Sequence, residues 1–173
     1  MKILSEVETS AWIAASLGYE PTSEALKGRL ACQAMYLLPV DTGRKTALAR
    51  SLANFIDLTR SGLLWITSSG VWPSNENMDL FDGYRRSLGE QRTLRDSPGH
   101  IFEQHDEAAL QTLLGLSLYF FWDAVLIEGT QDLAIRFSHD EYLGIYAKSE
   151  KRLNAIDGLF TKMEMKRADP QSA

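Results

Sequence analysis

The chain has one cysteine, Cys32, among its 173 residues. An intramolecular disulfide is therefore excluded, and a reducing compartment is the natural expectation. Long apolar runs are missing too. The longest, Leu113 to Trp122, is stopped by Asp123, well short of the ~20 residues needed to cross a bilayer. Glu6 and Glu8 interrupt the start of the chain, so no secretory leader is read there. Positive charge is in deficit. The net charge is −5, against the basic surface that a general nucleic-acid binder uses to neutralise phosphates. There is no G-x-G-x-x-G, no nucleophile elbow and no internal repeat. These absences point to a soluble, cytoplasmic protein without a membrane or nucleic-acid partner.

What is present suits one domain. Hydrophobic residues make up 45% and charged residues 24%, ordinary values for a protein with a sizeable core. The reading is a globular domain over 1–163 and a frayed polar tail over 164–173.

Helix signals open the chain. Ser5-Glu6-Val7-Glu8 is a capping-box pattern, and Gly18 stops the helix that follows. A second helix is expected from Thr22 or Ser23, with Leu26, Leu30, Ala34 and Leu37 on one face and Pro39 as its end. Residues 35–38 read equally well as a short strand. Asp41 caps a third helix striped by Leu48, Leu52, Phe55 and Ile56, with Gly62 as its stop. Leu63 to Thr67 reads as a buried strand. Ser74 caps a helix to Leu88, in which Asp82 and Arg86 form an i, i+4 pair. Gly89 to His105 reads mostly as loop. Asp106 begins a helix apolar on almost every face from Leu110 to Phe121, as a central buried helix would be.

Next comes a hairpin, Trp122–Glu128 and Gln131–Phe137 about a two-residue Gly129-Thr130 turn. That turn sets Asp123 opposite Arg136, Leu126 opposite Leu133 and Trp122 opposite Phe137. Ser138-His139-Asp140-Glu141 has the look of a catalytic run. Triads converge in space rather than in sequence, and a capping box opening a last helix to Asp157 accounts for the same residues. The expected fold is α+β: a small, mainly antiparallel sheet of about three to five strands, packed with about six helices. A parallel α/β arrangement remains open if residues 35–38 form a strand.

Charge is unevenly spread. From His100 to Glu141 there are eight acids and one base, Arg136, a net −7, while the rest of the chain nets +2. Such a face steers a basic partner. The function expected is a non-catalytic protein-binding module of immunity or inhibitor type, presenting carboxylates where its partner expects phosphate. Its candidate contacts are Trp72, Asn75, Glu76, Glu103, Glu128 and Asp132. Trp72 stands in a strand-to-helix segment, where loops carry function, and Trp is enriched among binding hot spots. The coherence of the idea depends on Glu103, Asp106, Glu128, Asp132 and Asp140 sharing one face.

Two other readings stand beside it. His100, Glu103 and His105, with His139, supply the residue types of a metal-dependent hydrolase, though His100 and His105 are five apart rather than the four of H-E-x-x-H. The Trp72 segment can also be read as the interface of a homo-oligomer, or simply as a cover for the core edge, with Pro73 fixing the entry to the helix. Asp41-Thr42-Gly43-Arg44-Lys45-Thr46 is not a phosphate loop, because Pro39 and Arg44 stand where G-x-x-x-x-G-K-[ST] requires its two glycines; it reads as a capped helix start with an exposed basic first turn. No cofactor is called for.

Overall fold

A computed structural model describes residues 1–18, 26, 30–69 and 75–168; for Leu17 and residues 75–77 it describes the backbone alone. Seven strands, β1 (Lys2–Leu4), β2 (Cys32–Leu37), β3 (Gly62–Ser68), β4 (Gly99–Phe102), β5 (Asp123–Ile127), β6 (Leu133–Phe137) and β7 (Tyr142–Ala147), form one sheet in the order β1-β4-β3-β5-β6-β7-β2. Every neighbouring pair is antiparallel. Five helices accompany it among the described residues: α1 (Glu6–Leu17), α2 (Thr42–Phe55), α3 (Asn75–Ser87), α4 (Glu107–Tyr119) and α5 (Glu150–Lys162).

This corrects the expectation of three to five strands and about six helices. Residues 142–147, expected to be helical, are a strand. Ser138–Glu141 is not a helix start but the turn leading into it: Glu141 N–H donates to Ser138 O at 3.1 Å and Ser138 N–H to Tyr142 O at 2.9 Å. The last helix begins later, at Ser149, whose hydroxyl accepts from Arg152 N–H. Residues 32–37, at the end of the expected second helix, form edge strand β2, antiparallel to β7. Residues 99–102, read as loop, become β4, fully buried between β1 and β3.

Helices α2 to α5 pack on one face of the sheet. Leu48, Leu52, Phe81, Leu113, Leu114, Ile156 and Phe160 meet Leu64, Leu126, Ile135, Leu143 and Ile145 there. Ile13 of α1 covers the other face with Leu26 and Leu30, against Leu63, Val125, Ile127 and Tyr146. With both faces covered, the central strands need no polar alternation. The caps of α1 form as expected: the reciprocal Ser5–Glu8 box is present, and Gly18 takes a left-handed conformation, φ 71°. Helix α4 is one-sided rather than buried all round, since Tyr119 is 53% exposed.

The hairpin forms in a different register. Val125, not Asp123, lies opposite Arg136, and Ala124 lies opposite Phe137. Four residues make the turn, closed by Gln131 N–H to Glu128 O at 2.8 Å, with Gln131 left-handed at φ 61°. The glycine is needed for space instead: a Cβ on Gly129 would collide with the Arg60 carbonyl. Gly129→Ala is therefore expected to cost about 1–3 kcal/mol, the usual cost of overpacking. A urea midpoint unchanged by it would contradict this close approach.

The expected tail, 164–173, is described as far as Ala168. Arg167 bridges Tyr36 in antiparallel fashion, and Ala168 N–H donates to Met35 O at 2.8 Å. Among the described residues, no helix is long and apolar enough to cross a membrane.

Candidate functional site

The acids of the window 100–141 have different fates. Four are engaged inside the molecule. Asp106 takes the Met1 ammonium at 2.5 Å and Glu103 N–H at 2.9 Å, rather than capping α4 with its side chain. Asp132 pairs with Lys148 at 3.1 Å. Glu128 is 1% exposed and holds the Arg152 guanidinium, Asp57 N–H and the Thr130 hydroxyl. Its carboxylate is therefore a structural clamp and is not presented to solvent. Asp123 accepts from His139 N–H at 2.8 Å and approaches its Nδ1 at 2.9 Å.

Glu103, Glu107, Asp140 and Glu141 stay exposed, but they do not share a face. Antiparallel register puts Glu103, Glu128 and Asp132 at one end of the sheet, beyond Phe102, Ile127 and Leu133, and Asp140 at the other, between Phe137 and Tyr142. The five acids required to lie together are thus split. Trp72 lies outside the described residues. Asn75 and Glu76 open α3, and their side chains are also outside them.

The end carrying Asp140 collects more chemistry than the sequence indicated. It holds residues 38–41, the first turn of α2, Phe121 to Asp123, and the turn Ser138–Glu141. Lys45 was expected on an exposed basic turn; it is only 4% exposed. Its ammonium sits 3.2 Å above the Phe121 ring centroid, and burial lowers its pKa while the Glu141 carboxylate opposes that fall. Both neighbours are unusual: Phe121 has φ 53° and Glu141 φ 66°, a left-handed conformation costing an L-residue roughly 1–2 kcal/mol. Arg44, next in sequence, binds Met163 O and Glu164 O at 2.8 and 2.9 Å, and Glu164 is left-handed as well, φ 53°. The first turn of α2, fixed by Asp41 accepting from Arg44 N–H at 2.8 Å, is thus a hub for three strained segments.

The turn itself is pinned from two sides. Leu38 N–H donates to Glu141 O at 2.7 Å, and Asp123 orients His139 through both its backbone N–H and its ring. His139 Nε2 lies 3.4 Å from Asp140 Oδ1, on a carboxylate 69% exposed. Beside the turn, Val40 is 76% exposed.

The other histidines lie elsewhere. His100 faces the helix layer from β4, fully buried, with Nδ1 3.3 Å from Leu64 O and its ring edge-on to Phe81. His105 is exposed beyond β4, at the opposite end of the sheet from His139. Among the described residues, no three His, Cys, Asp or Glu side chains group as metal ligands. A groove of about 350 Å³ on the outer helix layer is lined by Ala49, Leu80, Leu116 and Tyr119. Arg85, buried on α3, binds Asp82 at 3.3 Å and the Ser97 carbonyl at 2.8 Å; the expected Asp82–Arg86 pair is displaced one residue. This network ties down the loop before β4.

Sequence reasoning missed the hub because its signal is long-range. Arg44 and Lys45 lie more than seventy residues from the loops they hold, and only the packing of helices and strands distant in sequence brings those loops together. Comparison with known protein families, with curated proteins and with solved structures finds no match for this chain.

Proposed function

We propose that the protein is a non-catalytic protein-binding module that docks a basic partner, not on the broad acidic face expected from charge counting, which the fold divides, but on the smaller sheet end formed by Val40, Asp41, His139, Asp140 and Glu141. The observation that carries this reading is the hydrogen-bonded turn 138–141 with its left-handed Glu141. Glu141 occupies a left-handed conformation that glycine would adopt at less cost, and it is held there by accepting from Leu38 N–H and donating its own N–H to Ser138 O. Strain of this kind gathers at binding and switch sites. A loop ordered in advance loses less entropy on docking. Exposed carboxylates beside an exposed valine suit a partner with basic groups around an apolar contact. An inhibitor-type role is the form of docking that this chemistry favours.

The test is capture from native extract on immobilised protein. Asp140→Lys with Glu141→Lys should reduce capture at least tenfold, about 1.4 kcal/mol, and added salt should weaken wild-type capture. Glu103→Lys with Asp132→Lys makes the same charge change at the other end and should leave capture intact. Equal loss from both pairs would contradict a localised site. A further variant separates binding from folding. Glu141→Gly should raise stability by about 1 kcal/mol in urea titration and still weaken capture, because it removes a docking carboxylate and leaves the turn less constrained. A fall in stability would show that the left-handed residue is not strained.

A further inference from the structure

Strand β2 closes one side of the sheet, and its outer edge is already occupied. Leu37 N–H donates to Lys166 O at 2.9 Å, Ala168 N–H donates to Met35 O at 2.8 Å, and Tyr36 lies opposite Arg167 in an antiparallel bridge. Arg44 steers the chain into this position through the carbonyls of Met163 and Glu164. The slot beside β2 therefore accepts an antiparallel strand. The strap filling it is short, a single bridge with two flanking main-chain bonds, and Lys166 and Arg167 are exposed.

Alternate residues of an antiparallel strand turn both N–H and C=O toward the same edge. Met35 and Leu37 point outward here, so Gln33 belongs to the same set. That set is symmetric about Met35. A second β2, laid antiparallel, would set Met35 against Met35 and Gln33 against Leu37, the self-complementary arrangement of a two-fold interface. Leu37, 39% exposed, would be covered. An unguarded edge strand is a template for pairing with another chain.

We propose that the outer edge of β2 is a strand-addition site guarded by residues 166–168, and that its occupant when the guard leaves is β2 of a second copy. The two sheets then join into one. Such an edge-to-edge dimer would be controlled by whatever holds or releases the strap.

The experiment compares the full chain with one ending at Met165. The shorter chain should show twice the monomer mass by light scattering, while the full chain stays monomeric. Met35→Cys, made with Cys32→Ser, reads the register. Paired residues here have Cα atoms about 5.5 Å apart, within disulfide reach, so mild oxidation should cross-link the shorter chain and spare the full one. Full-length Ala168→Pro, which lacks the N–H given to Met35, should move toward the doubled mass as concentration rises. A folded, monomeric shorter chain overturns the proposal, as does a dimer that Met35→Cys does not cross-link. If the shorter chain does not fold, a monomeric Ala168→Pro protein overturns it.

Discussion

Arg152→Ala is expected to destabilise the protein by about 3–5 kcal/mol, the usual cost of leaving a buried charge without its partner. The charge is Glu128. It follows β5, is 1% exposed, and connects three elements: Arg152 of α5, the backbone of Asp57 after α2, and Thr130 in the β5–β6 turn. Arg152 also lies 4.4 Å from the Phe55 ring centroid, so its loss removes a cation–π contact. For a chain of this size the loss lowers Tm by roughly 6–20 °C. Glu128→Gln should cost less, because Arg152 is 25% exposed and regains water. The double variant Arg152→Ala, Glu128→Gln should recover part of the Arg152→Ala loss. Urea titration of the set is the check. A loss below about 1 kcal/mol for Arg152→Ala, with no recovery in the double variant, would show that Glu128 is not a buried charge.

The second large effect is on acid stability. In the unfolded chain the His100 imidazole titrates near its ordinary value of 6.5. In the folded protein, burial and then the charge of Arg85 push it down to about 3. Between those values acid protonates the unfolded chain but not the folded one. Stability is therefore unaffected by this group above about pH 6.5 and falls below it, by ~1.4 kcal/mol per pH unit, until the folded-state value is reached. Down to pH 5 that is about 2 kcal/mol. His100→Gln removes the group, so the difference between variant and wild type should shrink as pH falls from 6.5 to 5. Carboxylates whose values are lowered by folding, such as Glu90 and Asp106, act at lower pH and are common to both proteins. A pH-independent difference would show that His100 binds a proton equally in both states.

Local signals of the fold were legible and long-range ones were not. The Ser5–Glu8 box, the left-handed Gly18 and the Asp41 cap are chemistry between residues three or four apart, and each forms where its residues indicate. Strand β7 was hidden because Tyr142 to Ala147 is covered on both faces, so its pattern shows no alternation. A chance Ser-x-x-Glu before it then imitated a helix start. The hairpin register differs because a two-residue Gly129-Thr130 turn needs a positive φ at Gly129. Its φ is not positive; Gln131 carries the left-handed turn, and Gly129 makes room for Arg60.

The same contrast holds for the candidate site. Charge counting found an acidic window, but it could not tell Glu128, committed to Arg152, from Asp140, left in solvent. Lys45 and Asp123 become informative only when the sheet brings them to one end.

The turn 138–141 and its neighbours are the proposed docking edge. Hydrogen exchange with and without the captured partner tests it most directly. New protection is expected at the backbone amides of Leu38, Val40 and Asp41 and at 138–142. Protection confined to the Glu103–Asp132 end of the sheet, or to the α2–α4 groove at Leu80 and Tyr119, would contradict it.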